Sequence, residues 1–164
     1  MALEQRVLEL EQLQLRKCVE ISGVPLQENQ DLQQIVSVVQ EKMNVNAKEV
    51  KEIKRLPIKK DRPQIIQVEL ISESAKNKWI AASRQTNISP VDIIPNLDQR
   101  HSVGKIVVRE ALTPYYKFLL GKTKHELKDT YKYIWCKDGR ILIRKTDKSK
   151  VNTVRSESDI KAFL

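Results

Sequence analysis

The spacing of apolar positions changes repeatedly along this chain, and each change marks an element. Residues 1–16 are rich in Leu, Glu and Gln, with no Gly or Pro and Val7 as the one β-branched residue, a composition that favours helix. Leu3, Val7 and Leu10 follow the 4-3 spacing of a coiled-coil seam, and polar Gln14 takes the next seam position. Two heptads fall short of the roughly three to four that sustain a coiled coil alone. The segment therefore reads either as a helical lead-in packed on its own domain or as the end of a longer coiled coil.

Lys17 to Val24 alternates and closes on Gly23-Val24-Pro25, which predicts a first strand. Asn29-Gln30-Asp31 offers capping side chains, and Leu32, Ile35, Val36, Val39 and Met43 then mark one face of an amphipathic helix. Val50 to Leu56 alternates again, with Lys51, Ile53 and Arg55 set against Val50, Glu52, Lys54 and Leu56. A basic loop bounded by Pro57 and Pro63 follows. Gln64 to Ile71 is the clearest strand, with Ile66, Val68 and Leu70 on one face. Ser72 caps a second helix over 73–84, whose stripe is Ala75, Trp79 and Ala82. The prolines and glycine of 85–104 predict an extended loop, and Lys105 to Arg109 a fourth strand. Strand–helix–strand–strand–helix–strand is the split βαβ order, shared by RNA-recognition modules and many unrelated domains.

Thr113-Pro114 predicts another helix, with Tyr116, Leu119 and Leu120 and either Thr123 or Leu127 inward and lysines outward. A hairpin follows, because Asp138-Gly139 tolerates the positive φ values of a tight turn between two β-rich runs. Strand alternation puts Tyr131, Tyr133 and Trp135 on one face and Lys132, Ile134 and Cys136 on the other. Arg140, Leu142 and Arg144 alternate with Ile141, Ile143 and Lys145 on the return strand. Such a ribbon carries the rings and cations that hold single-stranded nucleic acid. It equally suits an amphipathic hairpin whose rings pack on a helix. Val151 to Val154 adds a third strand, and Ser156 opens a final helix over 157–164.

Charge sharpens this picture. The net charge is +9, yet residues 1–50 carry 5 basic against 8 acidic side chains, so the basic character belongs to the rest of the chain. An anionic partner follows, without a choice between nucleic acid, acidic protein and lipid surface. Cys18 and Cys136 form neither a disulfide framework nor a metal-ligand spacing, and predict reduced thiols. The charged start lacks a signal-peptide core, and no run approaches the ~20 apolar residues of a membrane span. An intracellular protein, cytoplasmic or nuclear, is expected. His101 and His125 stand far apart, no phosphate-binding glycine loop occurs, and no paired carboxylates suggest a metal nuclease. No catalytic residue, metal site or cofactor is expected.

Several motifs occur here in a telling order: Cys18-Val19-Glu20-Ile21-Ser22-Gly23-Val24-Pro25 after a Leu-rich helix, Ile53-Lys54-Arg55-Leu56, Arg62-Pro63 before a hydrophobic strand, and the Tyr-Lys-Tyr-Ile-Trp…Gly-Arg-Ile-Leu-Ile-Arg-Lys hairpin. The set resembles the baculovirus few-polyhedra protein family and the related first-reading-frame proteins of LINE-type retrotransposons. That resemblance implies an α+β protein in three parts: an N-terminal coiled-coil helix (1–16), an RRM-like βαββαβ domain (17–112) and a small C-terminal helix-plus-β-hairpin domain (113–164). In the retrotransposon branch it implies an RNA-coating chaperone; in the viral branch it implies a role in assembling occluded virus. The third strand of the βαββαβ domain carries no ring, nor does the first, so bases cannot stack there in the ordinary RNA-recognition mode.

The expected function is therefore largely sequence-independent binding of single-stranded RNA or DNA in a basic cleft between the two domains. Arg55, Lys59, Lys60 and Arg62, four cations within eight positions, are the first phosphate candidates. Arg84 is added by resemblance, Arg109, Lys117 and Lys122 flank the domain boundary, and Tyr133, Trp135, Lys137, Arg140 and Arg144 come from the hairpin. Leu3, Val7 and Leu10 would make a homo-oligomer, dimer or trimer. The competing expectation is a viral or domesticated protein-interaction scaffold in virus assembly, without direct RNA binding.

Overall fold

The computed structural model describes residues 2–98 and 104–164, arranged as a mixed α/β protein with two antiparallel sheets. The chain divides into two compact units: Lys17–Ala111, and residues 2–16 together with Leu112–Leu164. His101, part of the expected extended loop, lies outside the described residues.

In the Lys17–Ala111 unit the elements are β1 (Cys18–Ser22), α2 (Leu32–Met43), a 3-10 turn (Ala47–Glu49), β2 (Val50–Arg55), β3 (Ile65–Leu70), α3 (Glu73–Gln85), α4 (Pro90–Ile93) and β4 (Val107–Glu110). The strands order as β2-β3-β1-β4, every neighbour antiparallel. Ile21 pairs with Ile66 and Val108, so the alternating apolar residues of three strands share one face. That face meets the stripes of α2 and α3, and Val19, Ile21, Ile35, Val39, Ile66, Val68, Leu70 and Trp79 form the core. Full burial of each such side chain contributes ~1.5–3 kcal/mol. Trp79 belongs to this core, as its stripe position suggests.

Local chemistry sets the helix ends. Asp31 Oδ1 accepts the N–H groups of Gln33 and Gln34 at 3.0 and 3.3 Å, and Asn44 closes α2 in the left-handed conformation. Ser72 Oγ accepts the N–H of Ala75 at 3.0 Å at the start of α3. Gly23 has φ +96°, and a Cβ there would stand 2.4 Å from the Lys105 carbonyl oxygen.

Three expectations need correction in this unit. The extended loop over 85–104 contains a helical turn, α4, because Ser89 and Asp92 bond reciprocally around Pro90 (Ser89 N–H to Asp92 Oδ2, 2.9 Å). The simple alternation over 50–56 fails at a bulge between Val50 and Glu52, which turns Val50 and Ile53 to the same core face. The fourth strand starts and ends later than the sequence suggests, at Val107 and Glu110. Glu110 matters there: its Oε1 receives Lys76 Nζ at 3.0 Å, and both side chains are largely buried between α3 and β4.

The other unit contains α1 (Ala2–Leu13), α5 (Pro114–Leu127), β5 (Tyr133–Lys137), β6 (Arg140–Arg144), β7 (Asn152–Val154) and α6 (Glu157–Phe163). Thr113 Oγ1 accepts the N–H of Tyr116 at 3.2 Å and Pro114 starts α5, the predicted cap. Asp138 and Gly139 both take positive φ, 53° and 73°, as a tight hairpin turn requires. The core joins Tyr116, Leu119 and Leu127 of α5 to Ile141 and Ile143 of β6, Val154 of β7 and Ile160 of α6. Tyr131 was expected beside Tyr133 and Trp135. It instead precedes β5 and is buried edge-on against Phe163, because its N–H still bonds the Leu127 carbonyl at the end of α5.

Helix α1 packs within this second unit. Gln5 Nε2 donates to the Arg155 carbonyl at 3.1 Å, and buried Gln12 accepts the Thr113 N–H at 2.9 Å. The Gln12 stem also lies against Gly139, where a Cβ would come within 3.1 Å of it. The docked face is thus Gln5, Leu8 and Gln12, all at least half-buried.

Candidate functional site

The β5–β6 register fixes one outward sheet face. Tyr133 pairs with Arg144, Trp135 with Leu142 and Lys137 with Arg140, while Ile134, Cys136, Ile141 and Ile143 turn to the core. Two rings and three cations therefore share a surface, as strand parity foretells, with Thr153 of β7 beside Leu142. The side chains are not equally available. Tyr133 hydroxyl bonds Asp147, and Lys132 Nζ, 3.1 Å from Asp147 Oδ2, lies over the Tyr133 ring at 5.1 Å. The Tyr133 hydroxyl first, and Lys132 next, hold the Asp147 carboxyl below its usual range. Arg144 bonds the carbonyls of Asp147 and Ser149, so it closes the β6–β7 loop. Exposed Tyr133 and half-buried Arg144 are thus tied into the β6–β7 loop contacts, while half-buried Trp135 and exposed Lys137 and Arg140 are the ring and cations of this face outside that bonded group.

The basic loop divides in the same way. Lys59, Lys60 and Arg62 are exposed. Arg55 is half-buried and donates to Gln64 Oε1 at 2.9 Å and Gln30 Oε1 at 3.1 Å. Gln64 in turn donates to the Val24 carbonyl at 3.0 Å. Arg55 therefore fastens two loops together. Arg84 is exposed on the last turn of α3, and exposed Arg109 donates to Ser22 Oγ at 3.2 Å across β4 and β1. On α5, Lys117 is half-buried, while Lys122 meets Glu157 Oε2 at 2.6 Å and lies over the Phe118 ring. That carboxylate bond raises the Lys122 pKa.

The remaining face of α1 is apolar and open. Leu3, Val7 and Leu10 are 78 %, 51 % and 49 % exposed. They lie on a different side of the helix from Gln5, Leu8 and Gln12, so of the two expectations for this segment the structure bears out the helix packed on its own domain. The helix packs on its own domain and still presents the 4-3 stripe. Gln12 was the residue sequence reasoning missed; the 3-4 spacing of Gln5, Leu8 and Gln12 was its only signal.

Among the described residues, no group of three or more His, Cys, Asp or Glu side chains could hold a metal ion. Cys18 is buried, and burial pushes its thiol pKa up, away from a reactive thiolate. No described helix is long and apolar enough to cross a membrane.

This geometry defines a two-unit α/β protein with two antiparallel sheets. Comparison with known sequences gives the family. Residues 16–108 match the family described as Baculovirus FP protein domain 1, and residues 113–164 match Baculovirus FP protein domain 2. The chain belongs to the baculovirus FP protein family. It is 31% identical over 101 residues to Protein FP25 of Autographa californica nuclear polyhedrosis virus, and equally so to the FP protein of Galleria mellonella nuclear polyhedrosis virus. Each alignment covers 61% of this chain and 44% of the relative. Both family matches and both relatives are baculoviral, and they lend no support to the retrotransposon side of the resemblance.

Proposed function

We propose that the chain is a non-catalytic viral scaffold that self-associates through α1 and acts in virus assembly by protein contact. The observation that carries this reading is the solvent-facing stripe of Leu3, Val7 and Leu10 on a helix already anchored by its other side. Exposed aliphatics at seam spacing are satisfied by the same stripe on a second copy. Sedimentation equilibrium over a concentration series tests it. The chain should associate reversibly, and Leu3→Glu/Val7→Glu/Leu10→Glu should be monomeric with an unchanged circular-dichroism spectrum. A wild-type chain that stays monomeric throughout overturns the self-association.

The Lys17–Ala111 unit is best read as RRM-like, on the strength of its β2-β3-β1-β4 order. Its helix-free face carries exposed Glu52, Lys54 and Arg109 and half-buried Glu69 beside buried Glu20, Ser22 and Gln67, a mixed-charge face with no ring. That composition disfavours base stacking and supports the protein-contact reading. A second reading rests on Trp135 with Lys137 and Arg140. There a single strand of RNA would stack one base, contributing ~1–3 kcal/mol, and set phosphates against the two cations. Steep weakening of RNA binding with salt, reduced by Arg140→Ala, is its signature.

A further inference from the structure

One end of the four-stranded sheet gathers features that neither reading uses. Ser22 pairs with Ile65 on β3 and Val107 on β4, and Arg55 pairs with Ile66. The loops over 23–31 and 56–64 and the segment 104–106 therefore leave the sheet at one end. Gln64 Nε2 donates to the carbonyls of Val24 and Pro25 and to Gln30 Oε1, at 3.0 to 3.2 Å. Gln30 Nε2 returns to the Pro25 carbonyl at 2.7 Å, and Arg55 joins the same glutamine. The two loops are thus stapled to each other, and each lifts one aliphatic side chain into water. Leu26 is 50 % exposed and Ile58 is 52 % exposed. In the same loops and segment Lys59, Lys60, Arg62 and Lys105 are exposed, against the exposed acids Glu28, Asp31 and Asp61.

We propose that this sheet end docks peripherally on a bilayer surface bearing anionic headgroups, with Leu26 and Ile58 entering the acyl boundary between the flanking cations. The aliphatic pair decides between partners. Neither side chain has a π-face, so neither stacks on a base, and against a phosphate backbone both would stay wet. A lipid interface takes up aliphatic side chains and attracts Lys and Arg at the headgroups. Charge alone suits either partner; charge around two exposed aliphatics suits lipid.

Flotation of the full chain with phosphatidylcholine vesicles, with and without phosphatidylserine, tests this. Binding should require the serine lipid and weaken with salt. Leu26→Ser/Ile58→Ser should lower vesicle binding about ten-fold or more, and leave binding to a mixed-sequence RNA unchanged. Lys59→Ala/Lys60→Ala/Arg62→Ala should lower vesicle binding about a hundred-fold. All substituted positions are exposed, and a circular-dichroism melt at the wild-type temperature confirms intact folding. No binding to serine-lipid vesicles, or binding indifferent to the aliphatic pair, overturns the proposal. RNA binding that falls with the loop cations alongside that indifference assigns the loop to nucleic acid.

Discussion

Gln12 Oε1 accepts the backbone N–H of Thr113 at 2.9 Å, joining the N-terminal helix to the residue that caps α5. Both groups are buried, so the bond cannot be exchanged for water without cost. Gln12→Ala should destabilise its unit by about 1–3 kcal/mol, from an orphaned N–H and lost packing on Gly139. Urea melts followed by tryptophan fluorescence in a Trp79→Phe background, where Trp135 is the remaining tryptophan, would show it. An unchanged midpoint would mean that the Gln12–Thr113 bond contributes nothing to the unit.

The Lys76–Glu110 pair ties α3 to β4 with both charges largely out of water. Removing one partner leaves the other charge buried. Lys76→Ala should cost about 3–5 kcal/mol, whereas Lys76→Met with Glu110→Leu should be close to neutral. Equal losses in single and double variants would contradict that account.

Glycines at two positions should respond oppositely to alanine. At Gly23 a methyl group meets the Lys105 carbonyl in a left-handed backbone, so Gly23→Ala should cost about 3 kcal/mol or more. At Gly121, inside α5, nothing lies within 4 Å, so Gly121→Ala should stabilise by up to about 1 kcal/mol. Thermal melts of the two variants decide both signs.

What the sequence made legible was local. The alternation of Ile66, Val68 and Leu70, the Thr113-Pro114 start and the Asp138-Gly139 turn depend on neighbours a few positions away. What it hid depended on distant partners. The β2 bulge is visible only against β3, and Tyr131 leaves the strand because the end of α5 retains its N–H. The candidate site follows the same rule. Parity placed Tyr133, Trp135, Arg140 and Arg144 on one face. It could not show that Asp147 engages Tyr133, nor that Gln30 and Gln64 hold Arg55, since those partners lie 14, 25 and 9 residues away in sequence. Ser89 and Asp92 were legible as a helix start, but the nearby prolines suggested a loop instead.

Self-association through α1 is tested most directly by site-specific oxidation. In a Cys136→Ser background, where Cys18 is buried, Val7→Cys places one thiol on the open stripe and Leu8→Cys one on the docked face. The account predicts rapid disulfide-linked dimers for Val7→Cys and almost none for Leu8→Cys under the same mild oxidant. Equal crosslinking at both positions, or none at either, would contradict it.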